Sequence, residues 1–226
     1  MTTAPAPTPA ATRTRIARLA ASRITLWQEG YLRDQAHHVA ALARLRRGAG
    51  RPASAMPDLW SLVDTGPLHE GDDDHGPLNE LELTRAEGAL YTALTLWALH
   101  QQSRPARMHR PHQPEQPRGL GYAVRNLMPA GGIDEPALKR LVRAGTAPDL
   151  TVLSQRLRDL VVLLRRSDIP LDYGLLAGQL YTWQWPGGAD AVRRDWGRSF
   201  HSRPRTPGAD PARTDTHLDP DDKDAS

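Results

Sequence analysis

Asp149-Leu-Thr-Val-Leu-Ser-Gln-Arg-Leu-Arg-Asp-Leu-Val-Val-Leu-Leu-Arg-Arg166 is the stretch whose reading decides the fold. Leu150, Leu153, Leu157, Leu160, Val161 and Leu164 recur at the i, i+3, i+4, i+7 spacing of one helix face. At about 100° per residue they cover a single arc, with Arg158 and Arg165 on one flank and Arg156 on the other. Such a helix buries one side and offers guanidinium groups beside it. Guanidinium is always charged and meets phosphate oxygens through two parallel hydrogen bonds, which an ammonium group cannot do. A solvated helix face accounts for any one of these arginines equally well.

The same period runs outward in both directions. Upstream, Ile16, Leu19, Ala20, Ile24, Trp27 and Tyr31 form a helical stripe. Asp34 is placed to cap a second helix through Val39, Leu42 and Leu45, ending at Gly48. Pro57–Val63 predicts a short helix. Thr84-Arg-Ala-Glu87 has capping-box spacing, and the segment it opens, to about Gln101, is apolar on most sides, as a central buried helix would be. Residues 103–118 form a loop whose four prolines forbid regular structure. It holds four arginines and two histidines, and a flexible loop ordering on a polyanion or a merely solvated one both fit. A short helix is expected at about 120–128. Asp134 to Arg143 has an acidic first turn, an early proline and Gly145 beyond its end. Downstream of 149–166, Asp172–Trp183 and Ala189–Phe200 complete an all-α reading. It is a single compact helical bundle of about seven to nine helices, spanning 13–200, between disordered segments at 1–12 and 201–226. The first of these is uncharged Ala, Pro and Thr; the second has almost no apolar content.

Composition narrows the function. The 226 residues contain no cysteine, which removes disulfides, thiolate–zinc sites and thiol catalysis, and fits a cytosolic protein. No apolar run reaches the roughly 18 residues that a spanning helix needs, and no secretory signal is visible. The 29 basic side chains include only two lysines, Lys139 and Lys223. The net charge of +3 hides segregation: residues 13–51 carry nine arginines against Glu29 and Asp34, and 52–101 carry Arg85 against nine acids. Residues 102–200 are basic again. Two basic segments around an acidic one predict a basic surface assembled by folding.

Linear signatures of catalysis are few. No Gly-x-Ser-x-Gly elbow or phosphate-binding Gly-x-x-x-x-Gly-Lys occurs. Gly119-Leu-Gly121 fails the dinucleotide fingerprint at Val124. His37 and His38 are neighbours expected on different helix faces, so they chelate poorly. Asp72-Asp73-Asp74 could hold a divalent ion but reads more simply as a solvated acidic loop. No cofactor, metal, membrane or small-molecule substrate is expected. The candidate nucleic-acid contacts are Arg44, Arg46, Arg47 and Arg51 around the end of the second helix, Arg107, Arg110 and Arg118 in the proline-rich loop, and Arg125, Arg140, Arg143, Arg156 and Arg158. Cations at a helix C-terminus also suit its dipole, so Arg44 to Arg47 have a structural reading as well. Tyr181, Trp183 and Trp185 are candidates for base stacking, with core positions the simpler reading.

Four stretches together resemble the CasB family, the small subunit of the type I-E Cascade complex of CRISPR immunity. They are Leu42-Ala-Arg-Leu-Arg-Arg-Gly48; Trp97-Ala-Leu-His-Gln101; Gly119-Leu-Gly-Tyr-Ala-Val124 with Leu138-Lys-Arg-Leu-Val-Arg-Ala144 and Leu157-Arg-Asp-Leu-Val161; and Ile169-Pro-Leu-Asp-Tyr-Gly-Leu-Leu176 with Leu180-Tyr-Thr-Trp183 and Val192-Arg-Arg-Asp-Trp196. The resemblance implies an all-α subunit without nuclease activity, present in two copies beside the backbone and large subunits. It would brace the guide RNA assembly and help to hold opened target DNA. It carries over onto Arg46, Arg47, Arg143, Arg156 and Arg158. The acidic stretch around 64–82, the proline-rich loop and the tail depart from the family pattern, so no family contact is carried onto them. The alternative is a protein scaffold whose arginines meet acidic partner subunits.

Overall fold

The computed structural model describes residues 9–70, 76–129, 132 and 134–202. It contains ten α-helices and no β-strand among these residues. In chain order they are α1 (Pro9–Leu32), α2 (Ala36–Leu45), α3 (Trp60–Val63), α4 (Gly66–His69), α5 (Glu80–Gln101), α6 (Leu120–Arg125), α7 (Glu135–Gly145), α8 (Leu150–Arg166), α9 (Tyr173–Trp183) and α10 (Gly188–His201). Two of them, α3 and α4, are single turns of four residues, which leaves eight longer helices in one bundle. The expected N-terminal segment 1–12 overlaps the first turn of α1; residues 1–8, the acidic triplet 72–74 and residues 203–226 lie outside the described residues.

Helix α5 is the axis. Ala86, Ala89, Leu90, Ala93, Leu94, Leu96 and Trp97 are all fully buried, so it has no solvent face through its middle. Helices α1, α8 and α9 pack around it. The arc read from 149–166 is the buried face of α8, with Leu153, Leu157, Leu160, Val161 and Leu164 wholly inside and Leu150 at the edge. Asp134, Asp149 and Asp172 each accept a hydrogen bond from the backbone N–H three residues on, so α7, α8 and α9 begin where the sequence placed them. Two start signals differ from the reading. The capping box of α5 is Asn79 with Glu82, one turn upstream of Thr84–Glu87. Asp34 caps nothing; it sits at φ 55° in the turn before α2, whose N-cap is Gln35 without a side-chain bond.

The proline-rich loop is tied to the bundle. His109 is buried and bridges Leu171 in a parallel pairing. Leu171 N donates to Met108 O at 3.0 Å and Arg110 N to Leu171 O at 3.3 Å. Gln28 of α1 accepts from His109 N and donates to His109 O, at 2.8 and 3.1 Å. His109 is therefore neither solvated nor free to meet a polyanion, as a loop histidine would be: a Gln28 amide satisfies both of its backbone groups, and its ring is packed beside Tyr173. Tyr181 and Trp183 are likewise core residues. Trp183 stacks on Trp196 at 5.7 Å between ring centroids, and Trp185 lies under the Arg85 guanidinium at 3.9 Å.

Candidate nucleic-acid interface

Helix α2 does not end at a glycine cap but tightens into a 3₁₀ turn over Arg46–Gly48. Ala49 N then donates to Arg46 O and Arg51 N to Gly48 O, at 3.3 and 2.9 Å. These bonds fold 46–51 into a compact turn that projects Arg46, Arg47 and Arg51 from six residues of chain. Tyr91 of α5 fixes the turn to the core by donating its hydroxyl to Gly48 O at 3.3 Å. Gly50 stands at φ +78°, a left-handed conformation that a side chain would strain. A Cβ there would come within 3.0 Å of Arg158 Cδ, so the bare backbone is what lets the Arg158 stem lie against the turn. Arg158 thus reaches from α8 to join the three arginines after α2.

Arg46, Arg47, Arg51 and Arg158, with Ala49, Gly50 and Met56, line an open cleft of about 510 Å³. Asp58 is the carboxylate beside it: its Oδ2 lies 2.5 Å from Arg47 Nη2, and its backbone oxygen accepts from Arg44 Nη2 at 2.6 Å. Both members of the Arg47–Asp58 pair are about half exposed, so their attraction is screened by water. Arg46, Arg51 and Arg158 form no ion pair with any described residue.

The cationic surface continues past Arg46. Arg165, not among the predicted contacts, is held by its Nε donating to Gln102 O at 2.9 Å. Its pKa is pushed below the ordinary arginine value by desolvation first, then by the neighbouring charges of Arg104 and Arg46. Arg104 is itself anchored to Asp168 at 3.1 Å. Arg165 stood on the same helix flank as Arg158 in the sequence, and that spacing was the available signal. Arg104 had none, since a loop residue has no face.

The remaining predicted arginines fall elsewhere. Arg156 donates to Arg143 O, and Arg193 of α10 donates to Gly145 O at 3.2 Å, so both satisfy carbonyls at the end of α7. Arg143 and Arg140 are exposed on α7, with Arg140 Nη1 also bonded to Pro136 O. Arg107 lies 3.4 Å from Glu29; Arg110 is exposed; Arg118 is half-buried and bonded to Gln116; Arg125 ends α6 half-buried. None of these lines the cleft. Among the described residues no cluster of three or more His, Asp or Glu side chains could hold a metal ion, and no helix is long and apolar enough to cross a membrane. The His37 and His38 rings, expected on different faces, lie 3.8 Å apart.

The family model for the CRISPR-associated protein Cse2 matches residues 41–201, most of the described chain. This chain belongs to the Cse2 family. Among solved structures, the crystal structure of CasB from Thermobifida fusca is similar at 47% identity and a TM-score of 0.71, covering 83% of this chain and 98% of that one. A chain of a CRISPR RNA-guided surveillance complex shares the fold at 22% identity and a TM-score of 0.54, covering 82% of this chain and 95% of that one. No curated protein matches. The Cse2 match includes the 46–51 turn, α5, α8 and the loop between α5 and α6, so every element that builds the cleft lies within the family region.

Proposed function

We propose that this Cse2-family chain is the non-catalytic small subunit of a type I-E Cascade complex in the cytoplasm. It assembles with the backbone and large subunits and a second copy of itself, and it holds the sugar–phosphate backbone of opened target DNA or of guide RNA. The observation that carries this reading is the cleft of Arg46, Arg47, Arg51 and Arg158, with the half-exposed Asp58 carboxylate paired to Arg47 beside it. Guide pairing reads the sequence, so the protein needs only attraction for the backbone. Exchange of a DNA duplex for a guide–target hybrid is nearly balanced in free energy, so a few charge-assisted contacts of about 1–3 kcal/mol each tip it toward the open state. Exposed Arg140 and Arg143 on α7 extend the same role as outlying contacts.

The test is the assembled complex carrying Arg47→Ala, Arg143→Ala and Arg158→Ala together. The expected result is weaker retention of target DNA with the subunit still folded and incorporated. Retention equal to wild type sinks the assignment. A scaffold without nucleic-acid contact is the second reading. It is favoured by Arg47 on Asp58, Arg107 on Glu29, and Arg156 and Arg193 on helix-end carbonyls. Single-strand binding that does not respond to salt decides for it.

A further inference from the structure

Trp60 breaks the pattern set by the other tryptophans. Trp97, Trp183 and Trp196 are buried, and Trp27 and Trp185 pack against the core. Trp60 is 60% exposed on α3. Its indole N–H donates to Ala53 O at 3.1 Å, so the ring is fixed and its donor is already used. What it offers outward is aromatic surface. It borders a mostly apolar cavity of about 310 Å³ formed with Ala53, Val63, Thr65, Tyr91 and Glu87, whose carboxylate is taken up by Thr65 and His69.

This cavity and the arginine cleft share no lining residue but are tied together through three supports. Tyr91 lines the cavity and its hydroxyl holds Gly48, inside the 46–51 turn. Asp58 precedes Trp60 by two residues and holds Arg47 Nη2 at 2.5 Å. The 3₁₀ turn Ala53–Ala55 begins two residues after Arg51 and ends against Met56, which lines the cleft. A fixed aromatic ring beside a row of guanidinium groups is the arrangement that binds single strands without regard to sequence: cations hold phosphates while a base stacks on the ring.

We infer that Trp60 is a stacking platform for an unpaired base of the strand whose phosphates lie in the Arg46–Arg47–Arg51–Arg158 cleft. The inference rests on the backbone-holding reading above and adds a base contact to it. Stacking tolerates any base, as a guide-directed complex requires, and it excludes paired bases, whose faces are covered. The site therefore selects an opened strand over a duplex, which phosphate contacts alone do not.

The test uses the full chain with two probes of about twelve nucleotides, an oligothymidine and an abasic strand of the same length, so that they differ only in bases. Trp60→Ala is expected to weaken oligothymidine binding by about tenfold and to leave the abasic strand unchanged. Trp60→Phe, which keeps a ring, should bind oligothymidine close to wild type. Equal weakening on both probes means that Trp60 only shapes the cleft, and overturns the inference. So does unchanged oligothymidine binding by Trp60→Ala; if that variant also fails to enter the complex, the ring faces a protein partner. Arg47→Ala with Arg158→Ala, read on the abasic strand, tests the phosphate cleft by itself, so the two readings fail separately. Absence of any oligothymidine binding by the wild-type chain overturns both.

Discussion

His100 sits at the centre of the bundle with no exposed surface, its Nδ1 2.9 Å from the Tyr173 hydroxyl. Burial drives its pKa down to about 3, aided by the nearby charges of Arg165 and Arg104. In the unfolded chain the same ring titrates near 6.5. Between those values the unfolded state binds a proton that the folded state refuses, so stability rises with pH across the window. The contribution is complete above about pH 6.5 and is lost on acidification at up to about 1.4 kcal/mol per pH unit. Urea unfolding at pH 7, 5.5 and 4.5 should show wild type losing stability faster than His100→Gln, the gap between them narrowing as pH falls. A parallel decline for both proteins refutes the assignment. The sequence marked the helix that ends Trp97-Ala-Leu-His-Gln101 as buried, but it could not show that the histidine points inward. Gly121 is a similar case: as part of a failed dinucleotide fingerprint it looked incidental, yet a Cβ there would fall 1.9 Å from Trp196 O. The glycine exists so that α6 can touch the backbone of α10, a contact between elements 75 residues apart that no local pattern records.

Helix α5 shows how far local pattern reaches. Its apolar run and its burial were legible; its start was not. Asn79–Glu82 and Thr84–Glu87 both satisfy the spacing of a capping box. The structure uses the first, while Thr84 Oγ1 donates to Glu80 O at 2.9 Å and Glu87 is turned toward Thr65 and His69. Asn79→Ala should therefore cost about 1 kcal/mol in denaturant unfolding, and Thr84→Ala much less. The reverse ranking would restore the downstream cap. The aspartates at the heads of α7, α8 and α9 were legible because each stands alone before its apolar run. The proline-rich loop was half legible: its prolines do forbid helix and sheet, but its attachment depends on Gln28 and Leu171, remote residues with no mark in the loop itself.

At the scale of the whole molecule, the alternation of charge along the chain is what folding converts into a site. Three arginines of the cleft come from the first basic segment and Arg158 from the second, while Asp58 belongs to the acidic one between them. Segregation was visible in the sequence; which four guanidinium groups would meet was not, because Gly50 and a 3₁₀ turn set their geometry. Single-strand affinity should fall with salt at a log–log slope near −3, about 0.7 per phosphate held by the four arginines. Each Arg→Ala change at Arg46, Arg51 or Arg158 should flatten that slope by roughly 0.7. A slope that survives their removal would move the binding surface elsewhere, with Arg140 and Arg143 the next positions to examine.

The pairing of Met108–Arg110 with both Leu171 and Gln28 has a consequence for how the molecule comes apart. It sutures the first helix to the segment leading into α9, across 81 and about 63 positions of chain respectively. Neither half can then fray without releasing the other. Native-state hydrogen exchange should place the amide protons of Met108 to Arg110 in the slowest, globally opening class, although their surroundings are rich in proline and arginine.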